Sequence, residues 1–385
     1  MRILYVTTVG TTMGFFTSLV SELVASGDVV EIATNDRDFA VPDVYTEMGC
    51  AVHTIDCERS PLKPGNLRAI RQLRELTAGG AYDIIHCHTP IAAACTRIAC
   101  RRTRKKGTKV VYTAHGFHFF KGSPLKNWLI YYPVEWVCSW MTDVLVCITQ
   151  EDFDRARKRL HARRVEYVPG VGVDLSRFED IDGARVRNEL GLAPDDMLLL
   201  SIGELNRNKN HQVVVRALAQ LPANVHYAVA GRGDQGDALV ALAKELGVGD
   251  RYHMLGFRDD VPELMAAADA YVLPSMREGL NVSLMEAMAS GLPCAVSKIR
   301  GNVDLIDDDS ARFDPRLVVE VLGAVKYVLG EHRGFIGKRN RERIGKFGMK
   351  VVNSSMLKLY AQAIAVGQLP RIVEAIRLWW SYREQ

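Results

Sequence analysis

Arg277-Glu278-Gly279-Leu280-Asn281-Val282-Ser283-Leu284-Met285-Glu286-Ala287-Met288-Ala289-Ser290-Gly291-Leu292-Pro293 reads as a polar loop, a helix start and a helix stop. It follows Ala270-Tyr271-Val272-Leu273, a short apolar run with the composition of a buried strand in a parallel sheet. Pro274 and Ser275 end that strand, and Gly279 permits a tight turn. Val282 to Ala289 has helical period, and Gly291 with Pro293 stops the helix. Glu278 is therefore expected in a loop at the carboxyl end of a strand, and Glu286 one or two turns into the next helix. Ligands bind at that edge of an open α/β sheet. The amides of Leu280 and Asn281, at the helix start, are expected to point toward an anion. The glutamate spacing alone occurs readily by chance. A Glu-Gly-Leu-Asn loop behind a buried strand is a poor place for an idle carboxylate, however, and Ala287, Met288 and Ala289 suit close packing rather than an exposed face.

Outward from this segment the chain alternates strands and helices. Arg2-Ile3-Leu4-Tyr5-Val6, Val29-Val30-Glu31-Ile32-Ala33, Asp83-Ile84-Ile85-His86, Lys109-Val110-Val111-Tyr112 and Val144-Leu145-Val146-Cys147 read as strands. Gly14 to Ala25 and Ile91 to Arg102 read as helices between them. Such βαβ repetition implies a parallel sheet covered on both faces. Val168-Pro169-Gly170-Val171-Gly172-Val173-Asp174 breaks the rhythm and marks a linker or hinge. The rhythm restarts with strands at 197–202, 225–230, 252–255, 270–273 and 294–296, and beyond Pro315 the chain reads as helix. The chain is long enough for two domains, set at residues 1–170 and 171–350, with helices in 351–385. The last of these, Arg371-Ile372-Val373-Glu374-Ala375-Ile376-Arg377-Leu378-Trp379-Trp380, is basic and amphipathic. It is expected on a membrane surface or against the first domain.

Composition excludes several classes. With 48% hydrophobic and 24% charged residues this is a globular chain. It opens on a strand rather than a secretory leader. The best bilayer-spanning candidate, Trp128 to Cys147, is interrupted by Pro133, Glu135 and Asp143. Eight cysteines without a Cys-x-x-Cys pair point to reduced thiols in the cytosol. His86-Cys87-His88 places two histidines on one strand face, but no second ligand pair has metal spacing, so a polar strand end is expected and no metal site. Asp36-Arg37-Asp38 is read as surface.

The net charge of +4 is unevenly distributed. Residues 1–170 hold 22 Lys and Arg against 17 Asp and Glu, residues 171–330 hold 16 against 24, and residues 331–385 hold 11 against 4. Arg97, Arg101, Arg102, Arg104, Lys105, Lys106, Lys109 and a second group between Arg155 and Arg164 lie near Trp128, Tyr131, Tyr132, Trp136 and Trp140. Basic and aromatic side chains together suit an anionic membrane surface. No recognised nucleic-acid module is present, and nucleic acid is not expected as a partner.

Several loops are built for phosphate. Gly203-Glu204-Leu205-Asn206-Arg207-Asn208-Lys209-Asn210 follows a strand and opens a helix, offering backbone amides (Gly203, Asn206) and two cations, Arg207 and Lys209. Gly231-Arg232-Gly233-Asp234-Gln235-Gly236 matches the dinucleotide fingerprint, with Asp250 near the acidic position, but it follows the second strand of its domain rather than the first. Phe257 and Arg258, after the next strand, are expected to border a base pocket. Gly10-Thr11-Thr12-Met13-Gly14 lets the backbone approach phosphates or an acceptor, and His115 in Thr113-Ala114-His115-Gly116-Phe117-His118 ends a strand.

The segment 277–293 resembles the signature of retaining glycosyltransferase family 4, of the GT-B architecture, and the resemblance extends from Met1 to about Gly367, closest to the bacterial capsule and exopolysaccharide branch. It implies an α/β fold of two Rossmann-like, doubly wound parallel-sheet domains with a cleft between them, the last helix crossing back to the first domain. It implies that Glu278 contacts the donor sugar, Glu286 the ribose, and His115 the sugar near the reacting centre. Gly14, Gly203, Asn206, Gly231, Phe257, Arg258, Gly279, Leu280, Asn281 and Glu286 would bind the donor, with Lys209 and Arg207 as catalytic cations beside His115 and Glu278. The family's arginine directly after the glycine is replaced here by Glu204, so Arg207 is its expected substitute. The Gly-Gly pair of the wider family is absent at Gly10 to Gly14. The implied reaction is metal-independent transfer of a hexose or N-acetylhexosamine, from a donor expected to be a UDP-sugar, to a polyprenyl-diphosphate-linked sugar or oligosaccharide. The implied location is the cytoplasmic face of the membrane. The rival readings are a non-catalytic nucleotide-sugar-binding partner, an NAD-dependent enzyme using the Gly231 to Gly236 loop, and a nucleotide-sugar epimerase.

Overall fold

A computed structural model describes residues 1–79 and 81–381, with side chains described through residue 365. The chain divides into two units, Met1–Val171 with Val352–Gln385, and Gly172–Val351. Among the described residues the first unit holds seven strands: β1 (Arg2–Val9), β2 (Val29–Asn35), β3 (Ala51–Thr54), β4 (Ile84–His88), β5 (Lys109–Ala114), β6 (Val144–Cys147) and β7 (Arg164–Tyr167). They lie in the order β3-β2-β1-β4-β5-β6-β7, every pair parallel. The second unit holds β8 (Met197–Ile202), β9 (Val225–Ala230), β10 (Tyr252–Gly256), β11 (Ala270–Leu273), β12 (Cys294–Ser297) and β13 (Arg312–Phe313). Their order is β10-β9-β8-β11-β12-β13, again all parallel.

The strands are near-continuous apolar runs because both faces of each sheet are covered. Successive residues point to opposite faces, and β1 shows the consequence. Leu4 and Val6 join one core, while Ile3 and Tyr5 join the other. β4 divides in the same way. Ile85 and Cys87 enter the first core, and Ile84 the second, with His86 and His88 on the same face as Ile84.

That second face is closed by the helix Met349–Ser381, whose Val352, Met356, Leu359, Tyr360 and Ala363 are core residues of the first unit. The Tyr360 hydroxyl lies 2.8 Å from the Tyr5 hydroxyl and 2.6 Å from His86 Nδ1. The side chains of the basic amphipathic run 371–380 lie outside the described residues.

The interrupted apolar run at Trp128 forms the helix Leu125–Ser139, with Pro133 inside it. Among the described residues no helix is long and apolar enough to cross a membrane. All eight cysteines are buried free thiols. The basic cluster is less free than its sequence implies. Arg97 is fully buried, bidentate to Glu135 at 2.5 and 3.1 Å, and its guanidinium lies over the Tyr112 ring. Burial opposes the Arg97 charge, and Glu135 more than offsets it. Arg104 and Arg163 pair with Asp143, Arg155 with Glu151 and Asp152, and Arg164 with Glu166.

Replacing Tyr360 with Phe strips the Tyr5 hydroxyl and His86 Nδ1 of a shared buried partner. Tyr360→Phe is expected to cost about 1–3 kcal/mol, read as a lower urea midpoint for the first unit. An unchanged midpoint would show that these groups find other partners.

Candidate active site

The order of strands in the second unit reverses between β8 and β11, and the loops that follow these two strands carry the charged groups. The loop after β11 holds Glu278 and the loop after β8 holds Lys209. Lys209 Nζ donates to Glu278 Oε1 at 2.7 Å, with the two side chains only 16% and 13% exposed. The Glu278 loop is clamped from both sides. Met276 N donates to the Asn208 carbonyl at 2.7 Å, and Asn208 Nδ2 returns a bond to the Arg277 carbonyl at 2.9 Å. The Arg300 guanidinium reaches the Glu278 carbonyl at 3.3 and 3.4 Å. Gly301 has φ +78°, and a Cβ there would sit 1.7 Å from the Gly279 carbonyl oxygen, so only glycine fits.

The helix Val282–Ala289 is N-capped by Asn281, whose Oδ1 accepts from Leu284 N at 3.0 Å and Ser283 Oγ at 2.7 Å. Ser283 Oγ also bonds the Ile202 carbonyl at 3.0 Å, which fixes this helix start to the end of β8. Among the described residues the backbone amides of Leu280 and Asn281 have no hydrogen-bond partner. Unpaired amides at a helix start beside a lysine are the groups with which proteins hold anions. Glu286 lies in the same helix, partly buried. Burial raises its carboxyl above the ordinary value, while Arg177 at 3.9 Å works in the opposite direction.

The Gly203 loop approaches Lys209 closely: a Cβ on Gly203 would stand 3.2 Å from Lys209 Cε. Asn210 sits at φ 56° and ties Pro274 to Pro315 through its amide, donating to their carbonyls at 3.3 and 2.8 Å. Asn206 caps the turn by accepting from Lys209 N at 3.0 Å. Arg207 is exposed, and it lines a small hollow with Gln235 and Leu239.

The Gly231 to Gly236 loop has a steric role of its own. A Cβ on Gly231 would meet the Gly203 carbonyl oxygen at 1.8 Å, and one on Gly233 the Leu205 carbonyl oxygen at 2.3 Å. Leu205 N donates to the Arg232 carbonyl and Gln235 N to the Leu205 carbonyl, both at 2.9 Å. The first two glycines are thus explained by backbone packed on backbone, with no need of a ligand to account for them. Arg258 is committed to Glu189 and Asp260, and those carboxylates raise its pKa. Phe257 is 66% exposed, with Arg232 over its ring at 5.2 Å.

The first unit has its own reversal, between β1 and β4. Thr8 at the end of β1 and Thr89 after β4 meet through their hydroxyls at 2.5 Å. Thr89 has φ 62°, a strained conformation for a β-branched residue. His115, after β5, places Nε2 3.1 Å from His88 Nδ1. His86 is bonded to Tyr360 and, at 2.8 Å, to Thr113 Oγ1. His88 Nε2 is buried without a partner among the described residues. Burial lowers His86 to about 3, His115 to about 4, and His88 well below its ordinary value, with neighbouring histidines adding to the effect on His86 and His88. Among the described residues no three His, Cys, Asp or Glu side chains are grouped to hold a metal ion. Gly14 is exposed, with open space where its Cβ would be. The steric need lies at Gly10, where a Cβ would strike the Phe39 carbonyl oxygen at 2.3 Å.

Sequence reasoning did not find Asn208, Asn210, Ser283, Arg300, Gly301 or Thr89. Arg300-Gly301 was within reach, as a basic residue and a glycine just past a strand on the ligand-binding edge. Thr89 carries no sequence signal for its strain.

Two family models cover most of the chain: the one described as Glycosyltransferase Family 4 matches residues 15–177, and Glycosyl transferases group 1 matches residues 183–351. The chain is 40% identical over 267 residues to EpsD of Bacillus subtilis (strain 168), itself assigned as a glycosyltransferase, across 68% of this chain and 70% of that one. It is 29% identical over 259 residues to the Escherichia coli UDP-Gal:alpha-D-GlcNAc-diphosphoundecaprenol alpha-1,3-galactosyltransferase, across 64% of this chain and 66% of that one. Anabaena HepE, solved with UDP and glucose, shares the fold at TM-score 0.76 and 19% identity, covering 94% of this chain and 100% of that one.

The buried His86, His88 and His211, with the desolvated His115, fix a pH dependence. They stay neutral in the folded chain but charge near pH 6.5 when unfolded, so stability is complete above about 6.5 and falls as pH drops toward their folded values. His86 and His88 are each 1% exposed. Below pH 6.5 each is expected to cost roughly 1.4 kcal/mol per pH unit. Urea unfolding at pH 7.5 and 5.5 checks this, and equal stability at the two values would contradict it.

Proposed function

The chain belongs to the family 4 glycosyltransferases of the GT-B type, and from that premise we propose a retaining transfer of a hexose or N-acetylhexosamine from a UDP-sugar to a polyprenyl-diphosphate-linked sugar acceptor. The observation that carries the donor half is the Lys209–Glu278 pair beside the free amides of Leu280 and Asn281, at the reversal of strand order. In this reading the Lys209 charge and the amides meet the diphosphate, the Glu278 carboxylate the sugar hydroxyls, and the Glu286 carboxylate the ribose. HepE, which shares the fold, was solved with UDP and glucose, and the name of the E. coli relative states a UDP-Gal donor and a diphosphoundecaprenol-linked acceptor. The relation to EpsD, a glycosyltransferase by its name, supports the transferase activity, and the resemblance of segment 277–293 to the capsule and exopolysaccharide branch supports a role in surface polysaccharide synthesis.

In the proposed reaction the bond between the anomeric carbon and the β-phosphate oxygen breaks, and a bond to the acceptor oxygen forms on the same face. The acceptor proton passes to the departing phosphate oxygen. Negative charge grows on the diphosphate, where Lys209 and the helix-start amides stabilise it in place and the exposed Arg207 swings in to join them, so the scheme uses no metal ion. His115, neutral at physiological pH because it is desolvated, serves as an uncharged hydrogen-bonding group toward the sugar. Attachment to the inner face of the cytoplasmic membrane is supported by the outward side chains of the helix Leu125–Ser139, where Leu125, Leu129 and Val137 are 73%, 69% and 53% exposed. Trp136 and the adjoining Trp140 also face outward, at 40% and 57%. Trp128 and Tyr132 instead turn inward against Phe119.

A thermal-shift series with UDP, ADP and NAD tests the donor assignment. UDP at a hundred times its Kd is expected to add about 2.7 kcal/mol of stability, and Glu286→Ala should lose that gain. Stabilisation by NAD alone, or a full UDP response in Glu286→Ala, would overturn the assignment.

A further inference from the structure

A cavity of about 480 Å³ opens within the first unit, between the helices Pro90–Ala99 and Leu125–Ser139. That volume lies in the range of pockets that bury small organic ligands, about 300–1,000 Å³. Ile91, Ala94 and Ile98 line one wall at three- and four-residue spacing, which puts them on one helix face. Ile130 and Val134, one turn apart, line the other wall. The small side chain of Ala94, in the middle of its face, leaves the gap open.

Three features of this cavity bear on what fills it. Its rim is apolar and exposed: Leu62 is 94% exposed, Leu67 73% and Ile98 41%. The rim is also preformed. Asn66, 7% exposed, accepts from Glu58 N at 2.9 Å and donates to the Ser60 carbonyl at 2.8 Å, pinning the loop that leads to Leu62. The charge of the lining is positive. Glu135 is cancelled by its bidentate bond to the buried Arg97, which leaves Lys63 at the mouth. Arg101, Arg102 and Lys105 follow in the next helical turns, and among the described residues none of the three has an ion-pair partner.

Phe117 and Phe119 line the cavity, and His115 stands two residues before Phe117 on the same loop. The cavity thus begins where the proposed reacting region ends.

We propose that this cavity holds the first isoprene units of the acceptor's polyprenyl chain, with Lys63 at the mouth meeting the diphosphate. The proposal rests on the lipid-linked acceptor of the preceding section and supplies the site that such an acceptor would use. Charge complementarity decides the occupant. An apolar hollow with a cationic mouth fits a long hydrocarbon that ends in a diphosphate. A bilayer surface is flat and cannot fill a hollow between two helices, and it is met instead by the outward face of Leu125–Ser139.

Isothermal titration of the full chain with geranylgeranyl diphosphate, inorganic pyrophosphate and phosphatidylglycerol vesicles tests this. Ala94→Trp fills the hollow, and Leu67→Asp places a charge on the rim at a position too exposed to affect folding. The wild type should bind geranylgeranyl diphosphate at least tenfold more tightly than pyrophosphate, and both variants should lose at least tenfold in that affinity. Their vesicle binding and their stabilisation by UDP should stay unchanged. If Ala94→Trp does not fold, Leu67→Asp decides the matter alone. Wild-type affinity in the variants, no preference for the prenyl chain, or an equal loss of vesicle binding would overturn the proposal. A wild type that ignores UDP yet binds geranylgeranyl diphosphate through this cavity would sink the donor assignment and leave the cavity assignment standing.

Discussion

Reversal of strand order is the constraint from which the rest of this protein follows. β8 and β11 are neighbours in the sheet, but the chain runs outward from them on opposite sides, to β9 and to β12. The loops at their carboxyl ends therefore part, and the backbone groups between them are left without a ladder to join. Lys209 and Glu278 come from these two loops and close the gap with a 2.7 Å ion pair. At 16% and 13% exposure the pair is shielded enough for its charges to matter, and each charge holds the other in place before a ligand arrives. A diphosphate at the helix start would then meet a lysine already aimed. Around the pair, Asn208, the Arg300 guanidinium on the Glu278 carbonyl, and close glycine contacts fix the backbone.

The first unit repeats the reversal with different chemistry. Its edge carries threonine hydroxyls and histidines where the second unit carries an ion pair. Desolvation keeps the histidines neutral, and the strained Thr89 sits where β4 turns into the helix Pro90–Ala99. That same helix forms one wall of the apolar cavity. One short stretch of chain, His86 to Ile98, thus supplies two buried histidines, the strained turn and the cavity wall. The helix Met349–Ser381 reaches into this arrangement through Tyr360, which bonds His86 directly.

Much of this was legible in the sequence, and the gaps have physical causes. The apolar strands β1, β8, β9 and the short β11 stand out because burial on both faces demands uninterrupted apolar runs. Glu278 in a post-strand loop and Glu286 in the following helix were readable from Pro274, Gly279 and Gly291 alone. The strands β3, β7 and β13 were not, being short and partly exposed edge strands without a clear pattern. Arg97 read as part of a surface patch because its partner Glu135 lies 38 residues away and only the fold brings them together. The Gly231 to Gly236 loop read as a ligand fingerprint because glycine answers two needs that look alike in sequence, approach to a phosphate and approach to a neighbouring backbone. Arg258 likewise looked available until Glu189 and Asp260 were seen to hold it.

The central claim is that the reversal between β8 and β11, bridged by Lys209 and Glu278, is where the donor's diphosphate sits. A crystal structure with UDP bound tests it most directly. The account predicts phosphate oxygens within about 3 Å of Lys209 Nζ and of the Leu280 or Asn281 amides, with the ribose hydroxyls on Glu286. A diphosphate seated on the Gly231 to Gly236 loop, or away from the carboxyl edge of this sheet, would contradict it.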